Sequence, residues 1–343
     1  MEQQDILSMT LPELQAAVQE LGEPKFRAKQ IFNWLHQKRV TDFSEMTTLS
    51  LPFRERLASD FCINRLKIAK RLASSVDDTV KYLYELPDGN YVETVCMQYH
   101  HGTSLCISTQ VGCRMGCRFC ASAIAGFVRN LTPAEMLLQI YETERAQNCK
   151  ISSLVLMGIG EPLDNFDNVL RFLQLLSDPN GYGMSLRHVT VSTCGVVPKI
   201  LELAEQRLGL TLSVSLHCPN DAGRSAIMPI NRSYPIDVLL DACQTYFEKT
   251  GRRVTFEYAV MDQVNSAEQD AAALAERLKG LHAHVNLIPI NPVKERNFHT
   301  LKKTVLQFQK TLERYGIPAT IRRTLGSDIE AACGQLRRDA IQK

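Results

Sequence analysis

The sequence predicts an α/β fold, a full or partial (β/α) barrel of about six units, with a small N-terminal helical domain and a β-hairpin extension in front of it. Three observations predict it. From residue 104 onward short apolar, β-rich runs alternate with helical segments, which is the pattern of repeated βαβ units around a mostly parallel sheet. The first 70 residues instead carry apolar stripes at helical spacing. Polar and glycine-rich residues gather just after the strand runs, where (β/α) barrels place their active sites.

Taken in order, LPELQAAVQELG carries one helical stripe that stops at Gly22, and FRAKQIFNWLHQK carries another through Phe26, Ile31, Phe32, Trp34 and Leu35. LPFRERLASDF predicts a third helix. Residues 77–98 change period: TVKYLYELPDGNYVETVCM alternates, with Pro87-Asp88-Gly89 as the turn of a hairpin. Strands are then expected at 104–110, 151–157, 187–193, 210–216, 252–260, 284–290 and 319–324, and helices at 133–147, 166–177, 198–206, 236–249, 267–279 and 300–315. The expected division is a helical domain over 1–75, a hairpin linker over 76–103 and a barrel with a C-terminal segment over 104–343. An open doubly wound sheet fits the same alternation, but it gathers its chemistry at one switch point. Here the unusual residues follow strand after strand: Cys113, Cys117 and Cys120, then Gly158 to Pro162, Ser192 to Gly195, Ser215 to His217, and Asn291.

Apolar content of 45% and charged content of 22% are those of a soluble globular chain. The acidic N-terminus lacks the basic start and apolar core of a signal peptide, and no run is long enough to span a bilayer. A cytoplasmic location is therefore expected. In a reducing compartment eleven cysteines are not a disulfide framework. Cys62, Cys96, Cys149 and Cys243 read as small buried hydrophobes. Net charge is only +2, but residues 25–71 hold eleven basic residues against four acidic, and residues 294–338 ten against four. Such local faces can neutralise phosphates, although ordinary solvated helix surface accounts for them as well.

The clustered cysteines need their own account. GCRMGCRFC places Cys113, Cys117 and Cys120 at CxxxCxxC spacing in a glycine-punctuated loop. Thiolates in such a loop suit iron–sulfur clusters or zinc. Structural zinc takes two separated ligand pairs and a closed fourth position; here no second pair stands out, although Cys194 or His217-Cys218 could add one ligand. Three cysteines on a four-iron cluster leave one iron open for chemistry.

This spacing, with aromatic Phe119 before the last cysteine, resembles the signature of the radical S-adenosylmethionine superfamily. The resemblance implies a [4Fe–4S] cluster whose open iron is chelated by S-adenosylmethionine, and reductive cleavage to a 5′-deoxyadenosyl radical. It also implies cofactor contacts from Gly160, Glu161, Ser192, Ser215, Leu216, His217 and Asn291, besides Phe119. A likeness to the RlmN/Cfr family of RNA adenosine methyltransferases covers nearly the whole chain: EPKFRAKQIFNWLH, VETV, LCISTQVGC, FCASAIAGFVRNLT, GIGEPLDN, VSLHCPND, MPINRSYP and DIEAACGQL.

Carbon 2 of adenine is electron-poor and cannot attack an electrophilic methyl group, so a carbon radical must be added to the ring. By the resemblance, Cys333 takes a methyl group from one S-adenosylmethionine, and a second, cleaved at the cluster, turns that S-methyl group into the attacking radical. Glu93 then accepts the ring proton, and Cys106 attacks the Cys333 sulfur, forming a disulfide and releasing the base. Local sequence equally accommodates Cys106 as core, Glu93 as a solvent-facing strand residue and Cys333 as a flexible tail thiol. Cys194 and Cys218 are expected to line the pocket as bystanders. Pro162 and GFVRNLT resemble the carbon-2 (RlmN) side of the family more than the carbon-8 (Cfr) side, while Ile159 and Cys218 depart from its usual pattern. The implied partners are 23S ribosomal RNA, with an anticodon-loop adenosine of tRNA as a further candidate, and flavodoxin or ferredoxin as electron donor. A monomer without membrane contact is expected. A non-catalytic zinc-stabilised RNA-binding protein is the alternative of a different class.

Overall fold

The computed structural model describes residues 3–290, 297–331 and 335. Helices α1 (Leu11–Glu20), α2 (Phe26–Asn33) and α3 (Leu51–Asp60) form the N-terminal module. The Glu13 carboxylate accepts from both the Thr10 amide and hydroxyl at 2.8 Å, closing the first turn of α1. The module packs on the rest of the chain: Ile6, Phe32 and Leu35 belong to one hydrophobic core with the central sheet. His36 Nδ1 lies 2.9 Å from the Tyr141 hydroxyl, and Arg171 pairs with Glu13 at 2.7 Å.

That sheet has ten strands: β1 (Lys67–Ala73), β2 (Val80–Glu85), β3 (Tyr91–Tyr99), β4 (Gly102–Cys106), β5 (Ile151–Leu156), β6 (Val189–Thr193), β7 (Thr211–Ser215), β8 (Val254–Val260), β9 (Ala283–Pro289) and β10 (Ala319–Ile321). Spatial order follows chain order without a reversal, so β1 and β10 are its two edges. A doubly wound sheet requires a reversal; the sequential order is that of a partial (β/α) barrel. Strands β1 to β4 pair antiparallel and β4 to β10 parallel. Between the parallel strands run α4 (Pro133–Gln147), α5 (Phe166–Ser177), α6 (Val197–Glu205), α7 (Asp221–Ile227), α8 (Ile236–Thr250), α9 (Glu268–Leu278) and α10 (Lys302–Arg314).

Three features depart from the sequence expectation. The helical reading of residues 1–70 runs into β1, whose KIAKRLA is exposed along nearly its whole length and therefore shows neither period clearly. Its cations suit a sheet edge, which charge protects from further pairing. The strand expected over 104–110 ends at Cys106, because the chain then bends over the next loop: Thr109 and Gln110 amides both donate to the Ile159 carbonyl. Residues Gln110–Gly112 instead pair with Phe127–Asn130 in a short ribbon that brackets the cysteine loop. Helix α7 was not expected, since DAGRSAI has no apolar stripe; it forms on an Asn220 cap, whose Oδ1 accepts from the Gly223 amide at 2.8 Å.

Alternation in β2 and β3 sorts side chains onto two faces. Tyr84 and Thr94 face α4, bonding Thr143 and Gln139 at 2.8 Å. Lys81, Leu83, Glu93 and Val95 face the other way, and Val95 stands opposite Cys106.

Candidate active site

Cys113, Cys117 and Cys120 line an open-sided cavity of about 160 Å³ at the C-terminal ends of the parallel strands. Two glycines shape the loop that carries them. Gly112 has φ +77°, and a Cβ there would fall 1.7 Å from the Gly126 carbonyl oxygen, so only glycine closes the ribbon. Gly116 has φ +71° and turns the chain between the first two cysteines. The far side of the loop is tied to α7, the Arg118 amide donating to the Ile227 carbonyl at 2.9 Å. Phe119 stands edge-on to His217, ring centroids 4.8 Å apart. Burial pushes the Cys113 thiol up to about 12 and the Cys117 thiol well above its ordinary range, with Cys120 adding to both. Without metal these thiols stay protonated, and binding iron would displace the protons.

Among the described residues no three His, Cys, Asp or Glu side chains form a single-ion site. The donor set fits a [4Fe–4S] cluster: three thiols on one wall of a roomy cavity, with a buried carboxylate on the adjoining wall.

That carboxylate is Glu161, in the loop after β5. Its two oxygens accept from the Leu163 amide at 3.0 Å and the Cys194 amide at 2.8 Å. Burial raises its pKa against these bonds. Gly160 has φ +111°, and a Cβ would stand 2.6 Å from the Gln110 Cβ. Gln110 orders this loop, accepting from the Glu161 amide at 2.8 Å and donating to Asp164 at 2.8 Å. Ser192 and Ser215 line the cavity from the ends of β6 and β7, and His217 follows in the left-handed conformation at φ 56°. His217 Nδ1 accepts from the Ala259 amide at 2.9 Å, so Nε2 carries the proton of the neutral ring. Burial, reinforced by Arg224, pushes its pKa down to about 3. The Leu216 side chain lies in the core and off the cavity wall; Asn291 lies outside the described residues.

A side pocket beside this cavity is built by the hairpin and the strand after it. Cys106 joins Val95, Ile159 and Ala331 in one small apolar cluster and lines a side pocket that shares Met157, Ile288 and Arg322 with the main cavity. Glu93 is buried, not solvent-facing, and pairs with Lys81 at 3.0 Å. The chain after β10 is fastened here. Asp328 accepts from the Ser74 hydroxyl at 2.7 Å and the Ser75 amide at 2.8 Å, and Asp77 accepts from the Gly326 amide at 2.9 Å. Cys333 lies outside the described residues. Of the expected bystanders, Cys194 lines the cavity and Cys218 is buried away from it; Cys62 and Cys149 are half-buried, whereas Cys96 and Cys243 are buried.

Two residues of this site escaped sequence reasoning. Arg224 is wholly buried and donates to the carbonyls of Cys194, Ser215 and Leu216 and to Asn231, tying the ends of β6 and β7 together. Glu257 on β8 lines the cavity, with Arg322 Nη1 3.5 Å away. An arginine in a short polar helix and a glutamate inside an apolar strand carry no local signal; only a buried charge with no sequence neighbour to pair it hints at either.

A sequentially ordered partial barrel with three thiols after its first parallel strand defines the radical S-adenosylmethionine class. Residues 107–275 match the radical SAM superfamily, and residues 4–63 match the ribosomal RNA large subunit methyltransferase N-terminal domain. A probable dual-specificity RNA methyltransferase RlmN of Lachnoclostridium phytofermentans is 51% identical over 99% of this chain and 96% of its own length. Its counterpart from Alkaliphilus oremlandii is 50% identical over the full length of both. The crystal structure of a radical SAM methyltransferase from Sphaerobacter thermophilus superposes with a TM-score of 0.94 at 40% identity, covering 98% of this chain and 100% of that one. The chain belongs to the RlmN family of radical SAM RNA methyltransferases.

Proposed function

We propose that this enzyme methylates carbon 2 of an adenosine in 23S ribosomal RNA, with an anticodon-loop adenosine of tRNA as a second substrate. The observation that carries the reading is the position of Cys106: beside the thiol-lined cavity, in an apolar cluster with Ala331, two residues along the chain from Cys333. A thiol at that place supports the reading of Cys106 as the partner of Cys333. When bound, the cluster and two molecules of S-adenosylmethionine per turnover supply the methyl group and the carbon radical. Cys113, Cys117 and Cys120 hold the iron; Glu161, the wall serines Ser192 and Ser215, and the Nε2–H of His217 orient the cofactor.

Cys333 carries the methyl carbon and becomes joined through it to the base. Glu93 takes the ring proton, and Cys106 attacks the Cys333 sulfur to release the product. Residues 1–75 serve as an RNA-gripping domain through their basic stretch, on a base that must leave its stack to be reached. Residues 76–103 carry the acid–base wall and 104–343 the barrel. Flavodoxin or ferredoxin supplies the electron to a cytoplasmic monomer.

The test is an anaerobic reaction of reconstituted enzyme, reductant, S-adenosylmethionine and unmodified 23S RNA or tRNA, digested and separated by chromatography with mass detection. New 2-methyladenosine is expected; 8-methyladenosine moves the enzyme to the carbon-8 class. 5′-Deoxyadenosine without any methyladenosine refutes the substrate. In the same system Cys106→Ala is expected to methylate Cys333 and trap a covalent protein–RNA adduct.

A further inference from the structure

Lys81 is a buried charge in the hairpin that neither its strand nor the barrel requires. Strand β2 alternates, and its outward residues Val80, Tyr82 and Tyr84 supply the packing. Lys81 points the other way, toward the cavity side, and is itself 6% exposed. Its ammonium lies 3.0 Å from Glu93 Oε1 and donates to the Glu330 carbonyl oxygen at 3.0 Å. Lysine is rarely buried, and a buried ion pair contributes little net stability compared with apolar residues of the same volume. A Met or Leu here would satisfy the fold. The retained charge therefore points to the site.

The second contact gives the pair its meaning. Residues 326–331 curl tightly under the hairpin. Gly326 has φ +61°, a Cβ on it would fall 2.8 Å from the Ala331 Cβ, and Glu330 is left-handed at φ 51°. Asp328 and Asp77 fasten the start of this segment to the β1–β2 turn, and Lys81 holds its end. One ammonium thus touches both the carboxylate read above as the proton acceptor and the backbone three residues before Cys333.

We infer that Lys81 is a positioning residue of the resolution step: it keeps Glu93 charged in an apolar wall and sets the C-terminal segment over it. The inference rests on the assignment of Glu93 made above. In that step the ring proton passes to a Glu93 oxygen while the C–H electron pair stays on the ring. Only an ionised Glu93 can accept it. Among the described residues, the other titratable groups near this face are Glu85 of β2, Cys106 of β4, Asp77 of the β1–β2 turn, Arg322 beyond β10 and Glu330 itself. Lys81 places its ammonium 3.0 Å from Glu93 Oε1, so its loss removes an attraction that favours the charged form of the carboxylate.

The experiment uses the reconstituted holoenzyme with unmodified 23S RNA and compares wild type, Lys81→Met, Lys81→Arg and Glu93→Gln. Iron content, mass-detected methylation of Cys333 and the single-turnover release of 2-methyladenosine are followed against pH. Lys81→Met is expected to keep its iron and methylate Cys333, while the pH of half-maximal release rises by about one unit or more. Lys81→Arg is expected to restore the wild-type profile. A Lys81→Met profile that falls evenly at every pH, with its midpoint unmoved, reduces Lys81 to packing and overturns the inference. Release at the wild-type rate by Glu93→Gln removes the assignment of Glu93 itself, a separate failure.

Discussion

The wall of the main cavity and the hairpin wall of the side pocket beside it are built by different means. On the cofactor side, position is set by backbone: glycines at positive φ, amides on Glu161, and Arg224 bonded to three strand-end carbonyls. On the hairpin side, position is set by a few side chains that fasten one segment to another: Asp328 to Ser74 and Ser75, Asp77 to Gly326, and Lys81 to Glu93 and Glu330. The first arrangement cannot move without unfolding strand ends. The second can be released by exchanging a handful of polar contacts with water. The reaction proposed above, in which one thiol meets first a methyl donor and then a second thiol, would use one arrangement of each kind.

The contrast can be broken most severely at the thiols. Cys117→Ala is expected to lose the cluster and with it all methylation, read as loss of iron and of visible absorbance. No change on the hairpin side is expected to do this.

The next largest effect falls on Arg224. Arg224→Met leaves several buried carbonyls without donors and is expected to cost about 3 kcal/mol, read as a lower urea midpoint. If the cofactor wall were as easily released as the other, the loss would be small and local.

Acid sharpens the comparison further. His217 and His36 are buried and neutral, with pKa values pushed down by burial to about 3 and about 4. Both lie below the unfolded value, so the unfolded chain binds more protons in that window, and stability is lost as pH falls below about 6.5. His36→Gln is expected to recover about 2 kcal/mol of the stability lost between about pH 6.5 and 4, measured by denaturant midpoints at each pH. The cofactor wall, with His217 neutral above about pH 4, is expected to bind S-adenosylmethionine without a histidine step near neutrality.

Asp328→Asn is expected to do least. Stability and iron content stay at wild-type levels while single-turnover product formation slows several-fold, because only the fastening of the segment is weakened. An equal loss of iron would erase the distinction between the walls.

These differences in construction also decide what could be read from sequence. The cysteine loop, the glycine-rich loop at Gly158 to Pro162 and the strand-end serines are local strings, and local strings are legible. The parallel strands and the long helices α4 and α5 are legible for the same reason, since each is a continuous apolar run, a capped helix or an apolar stripe within one segment. Strand β1 was not, because an exposed cationic edge has no buried face to impose one. Lys81, Arg224 and Glu257 acquire meaning only through partners far along the chain, at Glu330, at Cys194 and at Arg322. The solvent-facing reading of Glu93 failed on the same account, since burial on that face comes from the segment after β10, more than two hundred residues later.

The sheet is ordered as the chain is written, and the segment that follows its last strand is fastened to the turn between its first two. A ribosome delivers those parts in the same sequence. The hairpin and the thiol loop therefore emerge before the segment that fastens the first edge. Fastening of the first edge by Gly326 and Asp328 means that an unfinished chain carries its thiol loop while that edge is still untied. The order of synthesis is thereby also an order of closure.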